Sequence, residues 1–241
     1  MKVLAIETAT EACSAALLIG DSLHERYQLA PREHNRLILP MIEALLAEAD
    51  CPARSLDLIA FGRGPGSFTG VRMAAGVTQG LALGLDLPVI GISTLAALAF
   101  DALARYPALA RAYPCLDARM HEVYWAVYDR DADGYPQLAG QERVCPAATV
   151  TVPPGMAGIG IGSGWSTYAD ILSRKAEGCL AAVLSDRFPG AGAVARLAAR
   201  CFPREGGVPA ELALPVYLRD DVARKPAVAG MRPDGSPGSL V

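Results

Sequence analysis

Glu7 closes a short apolar strand, Lys2 to Glu7, and is followed by Thr8-Ala9-Thr10; Asp117 has the equivalent place later in the chain. Two strand-end acids facing each other across a cleft could hold a metal-bound nucleotide through water. Each also reads simply as a turn acid, and the residues alone favour that reading. Between them lies Arg63-Gly64-Pro65-Gly66-Ser67-Phe68-Thr69-Gly70-Val71-Arg72. Its glycines permit backbone shapes other residues avoid, and Ser67 or Thr69 can cap the helix that follows, whose free N–H groups favour an anion. A well-capped strand-to-helix turn accounts for the same residues equally well. No Lys-Ser/Thr pair follows the glycines as in a Walker A loop, and Pro65 occupies the first glycine position of a nucleophile elbow. Glu7, Thr8, Ser67, Thr69 and Asp117 form the candidate nucleotide or anion site, a vestigial one, with neither a catalytic nor a metal-ligating set.

Beyond the loop, Arg72, Gly76, Gly80 and Gly84 recur every fourth residue and so share one helix face. A glycine inside a helix costs about 1 kcal/mol relative to alanine, so three on one stripe require an offsetting gain. Close approach of a second backbone supplies one. That element is either the protein's own sheet or a helix of another subunit, and Met73, Val77 and Leu81 between the glycines can already serve the internal core. The candidate partner surface is Arg72, Met73, Gly76, Val77, Gly80 and Leu83.

The histidines are His24, His34 and His121, with no pair spaced i, i+4 as a helical metal site requires. His34 and His121 read as solvent-facing. Gly158-Ile159-Gly160-Ile161-Gly162-Ser163-Gly164 fits G-x-G-x-x-G in no register, which excludes a Rossmann fingerprint.

The elements that must position these residues begin with strands Lys2–Glu7, Cys13–Ile19 and Leu23–Leu29, an antiparallel meander. A helix of period 3.6 follows from about His34 to Ala49; Pro40, tolerated only near a first turn, moves its expected start toward Leu39. A strand Asp57–Gly62, a helix Thr69–Leu85, a strand Pro88–Ile92 and a helix capped by Ser93 or Thr94 and running through Leu103 complete a β-β-β-α-β-α-β-α half. The second half starts alike. Cys115–Asp117 and Glu122–Tyr128 read as a hairpin and Gln137–Val144 as a third strand. Gly158–Ile161 precedes a helix through Leu172, and a strand Ala182–Leu184 precedes a helix Ala191–Cys201. The helix expected between Val144 and Gly158 is missing or shortened. Strands alternating with helices predict mixed sheets with flanking helices in two tandem units around a cleft. The boundaries are residues 1–104, residues 105–225 (whose last helix can pack back on the first half) and a tail, 226–241, rich in Pro, Gly and Ser and expected to be disordered.

At 241 residues and 52% hydrophobic the chain is neither a stapled mini-protein nor disordered. Its 22 basic and 25 acidic residues leave a net charge of −3, so no global field draws it to nucleic acid or membrane. The six cysteines form no C-x-x-C pair, and MKVLAIETAT shows no signal-peptide pattern. No window approaches the roughly 20 apolar residues of a spanning helix. A cytoplasmic protein with most of its cysteines buried and reduced is expected.

LAIETATEACSAAL, GRGPGSFTGVR, CLDARMHEVYW and PVYLRDDVA, in order from residue 4 to residue 223, together resemble the TsaB (YeaZ) family of bacterial tRNA threonylcarbamoyladenosine synthesis. The resemblance implies an α/β fold of tandem actin-like, ribonuclease-H-like halves (the ASKHA class), matching the duplicated pattern. It implies a non-catalytic paralogue that binds and activates the transferase TsaD, with the ATPase TsaE completing the assembly, and a homodimer through first-half helices when alone. TsaD holds its metal with two helical histidines four apart; here the corresponding helix offers only His34. Members of the family commonly carry Asp where Glu7 stands, and Asp117-Ala118-Arg119-Met120 puts side chains where a phosphate loop needs bare backbone. No cofactor is therefore expected to be required, ATP is expected to bind only in the complex, and tRNA only through it. The rival classes are a weak actin-like ATPase or phosphotransferase using Glu7, Ser67 and Asp117, and a glycoprotein peptidase, for which no nucleophile–base pair is visible.

Overall fold

The computed structural model describes residues 1–219. The first half contains β1 (Lys2–Glu7), β2 (Ala12–Ile19), β3 (Ser22–Leu29), α1 (His34–Glu48), β4 (Leu58–Gly64), α2 (Phe68–Leu85), β5 (Val89–Ser93) and α3 (Thr94–Arg105). Its sheet has the order β3-β2-β1-β4-β5. The first three strands pair antiparallel, and β4 and β5 extend the sheet in parallel. The centre of β1 is apolar at every position because both its faces are covered. Leu4 and Ile6 meet α1 and α2, whereas Val3 and Ala5 meet the opposite layer.

The second half contains β6 (Arg111–Asp117), β7 (Glu122–Trp125), β8 (Tyr128–Arg130), β9 (Pro136–Leu138), β10 (Arg143–Pro146), β11 (Gly158–Ile161), α4 (Ser163–Thr167), α5 (Ala169–Lys175), β12 (Leu180–Leu184) and α6 (Ala191–Glu205). Its sheet runs β10-β7-β6-β11-β12, and β8 joins through β6 with β9 beyond it. The stretches expected as strands Glu122–Tyr128 and Gln137–Val144 are therefore broken into two strands each. The first breaks because β7 and β8 pair with different ends of β6. Between Val144 and Gly158 only a 3-10 turn, Ala147–Thr149, stands where a helix would be. One helix through Leu172 becomes two, α4 and α5.

α1 begins at His34 and carries Pro40 inside it, contrary to the expected start near Leu39. The carbonyl freed by the proline belongs to Arg36, and both residues are exposed, so water can satisfy it. α6 leaves the second half and packs Val194, Ala195 and Ala198 on the first sheet beside Ala5, Ala60 and Ile92. Its first turn is received there by side chains: the Ala191 and Gly192 amides donate to Ser14 Oγ (2.9 Å) and Glu25 Oε1 (2.8 Å). α3 lies between the sheets, with Ala97 toward the first and Leu95, Leu98 and Ala102 toward the second. After α6 the chain bridges Val208 to Val89, packs a 3-10 turn (Ala210–Leu212) on α2 and donates from the Val216 amide to the Arg63 carbonyl. Among the described residues no helix is long and apolar enough to cross a membrane. The expected tail, 226–241, lies outside the described residues.

Candidate functional site

The loop after β4 and the loop after β1 interlock. A β-carbon on Gly66 would come within 3.0 Å of Ala9 atoms, and one on Gly70 would collide with the Thr8 carbonyl. The Ser67 amide donates to the Ala9 carbonyl (2.7 Å), and the Thr8 hydroxyl donates to the Gly70 carbonyl (2.8 Å). Glycine is needed at both positions because another backbone occupies the side-chain space. Ser67 is the N-cap of α2, its Oγ accepting from the Gly70 amide at 3.0 Å. Thr69 does not cap and is exposed in the helix's first turn.

These loops form one wall of a cleft of about 980 Å³ between the halves. Ser67, Thr69 and Asp117 line it, as do Arg32, His34, Arg119 and Arg219, which sequence reasoning did not assign to it. Glu7 and Thr8, expected beside them, are fully buried beneath the wall. The Glu7 carboxylate accepts from the Ala9 amide (2.6 Å) and lies 3.5 Å from the Thr94 hydroxyl, and burial pushes its pKa up to about 7. A carboxyl held inside the sheet and half-neutral near pH 7 is not a cleft-wall metal ligand. The sequence placed Glu7 at a strand end; α3 and Thr94, distant in sequence, close over it.

Asp117 does face the cleft, already engaged. Its Oδ1 accepts from the Arg119 amide (2.9 Å) and the Tyr168 hydroxyl (3.3 Å), and its Oδ2 lies 3.3 Å from the Arg119 guanidinium. Arg119 also reaches within 3.9 Å of Glu11 in the other half. The turn beyond Asp117 holds Arg119, Met120 and His121 at φ of 63°, 55° and 63°, three consecutive side-chain-bearing residues in the left-handed region. Arg219 braces it, donating to the Ala118 carbonyl (3.1 Å) and pairing with Glu122. His121 is exposed as expected, but His34 is buried, its Nε2 3.2 Å from the Ala12 carbonyl. The start of α1 packs on the start of β2, which the helical period alone could not show. Among the described residues no three His, Cys, Asp or Glu side chains group as a metal site requires.

α2 presents a second surface. Arg72, Gly76, Gly80 and Leu83 are exposed, Leu83 at 76%. A β-carbon at Gly76, Gly80 or Gly84 would meet nothing within 4 Å, so no element of the described chain needs the bare backbone there. Met73 is half-buried at the cleft, and Val77 packs against the core under α2. The exposed face continues through Phe68 at one end and through Leu212, Leu214 and Tyr217 of the C-terminal segment.

The family model of TsaD, tRNA N6-adenosine threonylcarbamoyltransferase, matches residues 19–161. The chain is 40% identical over 228 residues to the tRNA threonylcarbamoyladenosine biosynthesis protein TsaB of Escherichia coli (strain K12), covering 93% of this chain and 97% of that protein. It is 37% identical to TsaB of Haemophilus influenzae, covering 93% and 96%. The solved structure of YeaZ from Pseudomonas aeruginosa superposes with a TM-score of 0.84 at 43% identity, over 90% of this chain and 99% of that one.

Proposed function

The chain belongs to the TsaB family of tRNA threonylcarbamoyladenosine biosynthesis proteins, with tandem actin-like halves, and we propose that it acts there as a non-catalytic partner that binds and activates the transferase TsaD. The observation that carries this reading is the exposed edge of α2. Gly76, Gly80 and Gly84 carry the helix-propensity cost of glycine with no neighbour to justify it inside the described chain. Leu83, Phe68, Leu212 and Leu214 make the surroundings apolar. Such a surface gains by being covered, and bare backbone lets a partner helix approach closely.

The cleft supports a role without chemistry of its own. The Ala9 amide is taken by Glu7 and the Arg119 amide by Asp117, so a phosphate arriving at either hairpin would have to displace a carboxylate. On this reading ATP is bound only when a partner rearranges the cleft, TsaE joins the assembled pair, and tRNA is met through the complex. The free chain uses the same α2 surface to pair with a second copy.

Replacing Gly80 by Arg tests the partner surface. Calorimetric titration with the cognate TsaD should lose its signal while the circular dichroism of the variant matches the wild type. Unchanged affinity would place the interface elsewhere. Titration of the isolated chain with Mg-ATP should give no heat; micromolar binding with turnover would favour the ATPase reading.

A further inference from the structure

The exposed face of α2 carries one formal charge. Its 18 residues include no acid, and Arg72 is the lone basic residue among them. The Arg72 guanidinium carbon sits 3.3 Å from the centroid of the Phe68 ring and 5.3 Å from that of Tyr217, the two rings being 5.9 Å apart. Stacking on aromatic faces orients a planar guanidinium and leaves its edge N–H donors pointing outward. Among the described residues no carboxylate lies within 4.0 Å of it and no hydrogen-bond acceptor is engaged. Of the arginines nearby, Arg36 lies beside Glu33, Arg119 beside Asp117 and Arg219 beside Glu122, whereas Arg32, on the cleft wall, has no carboxylate within 4.0 Å among the described residues.

Resting on the reading that α2 is the partner surface, we propose that Arg72 is the receptor for a carboxylate, an Asp or Glu side chain of the transferase seated beside the Gly76 edge. An apolar partner laid over Phe68, Gly76 and Leu83 strips water from the guanidinium between them. A buried charge left unpaired costs several kcal/mol, so a stable occupant must bring its counter-charge to that point. A carboxylate answers the edge donors with two parallel hydrogen bonds, which also sets the register of the two helices. A second copy stacked α2 on α2 offers no carboxylate from that helix, so self-association is the weaker use of the face.

The test is calorimetric titration of the full chain with cognate TsaD at low and high salt, using Arg72→Gln, Arg72→Lys and Gly80→Arg. Arg72→Gln should weaken binding on the order of thirtyfold or more and flatten its salt dependence, because one buried charge of a pair is lost. Arg72→Lys, which keeps the charge but not the planar fork, should fall between it and the wild type. If Arg72→Gln binds like the wild type while Gly80→Arg abolishes binding, the surface stands and the carboxylate receptor is overturned. If Gly80→Arg also binds normally, the surface itself is wrong and the inference goes with it. Arg72→Glu rescued by an Asp-to-Arg or Glu-to-Arg change on the transferase would identify the paired acid; failure of every acid on its docking helix to rescue would count against the pairing.

Discussion

The Glu7 carboxylate occupies the side-chain space of Gly62: a β-carbon at Gly62 would come within 2.8 Å of both carboxylate oxygens. The two residues lie on adjacent parallel strands, β1 and β4, and the acid is fully buried. Glycine at position 62 is therefore the condition for an acid at position 7. Gly62→Ala should destabilise the chain by roughly 2 kcal/mol, the ordinary cost of overpacking. Glu7→Ala combined with Gly62→Ala should cost less than the sum of the two single changes, since the neighbours share one volume. Urea unfolding of the four proteins closes the cycle; simple additivity would contradict the contact.

Burial raises the Glu7 pKa from 4.5 to about 7, which gives folding a pH dependence. Below pH 4.5 the group is protonated whether the chain is folded or not. Between 4.5 and 7 the unfolded chain ionises first, so stability falls as pH rises, by on the order of 1 kcal/mol per unit. Above 7 the folded group ionises too and the loss levels off. Glu7→Gln should flatten this slope in urea midpoints measured from pH 4.5 to 7.5.

Gly76, Gly80 and Gly84 have open space where a β-carbon would go. Alanine at each should stabilise the free chain by about 0.5–1 kcal/mol, by helix propensity and a less entropic unfolded state. Thermal or urea melts of the three variants check this. A loss of stability would mean that the face is covered by the chain itself.

His121 sits at φ 63°, the third left-handed residue of the turn after β6, and is exposed. His121→Gly should raise stability by about 1 kcal/mol, because glycine adopts that conformation without the steric cost. An unchanged urea midpoint would show the turn to be unstrained.

Ser67 caps α2 with a 3.0 Å bond to the Gly70 amide. Ser67→Ala should lower stability by about 1 kcal/mol, the usual worth of an N-cap. Ser67→Asp should restore it; if it does not, the side-chain cap is not what holds the start of α2.

Much of this molecule was legible in its amino acids. Apolar runs, turn residues and a helical period marked the strands and α-helices of the first half, though not its 3-10 turn Ala53–Ser55, and Ser67 and Ser93 marked helix starts that the structure retains. The GPGSFTG loop was recognisable as a strand-to-helix turn, though not that its Gly66 and Gly70 answer Ala9 and Thr8. The second half was harder, because its strands are three to seven residues long and several switch partners, leaving little periodicity to read.

By itself the sequence determined which residues share a strand or helix face, since that follows from backbone geometry alone: the glycine edge of α2 was visible in a spacing of four. It could not determine what covers each face. Val77 turned inward while Gly80 stayed open, His34 was buried against the start of β2, and Glu7 was sealed beneath α3 while Asp117 remained in the cleft. Those outcomes depend on contacts between residues tens of positions apart, and only the tertiary structure places a second surface against the first.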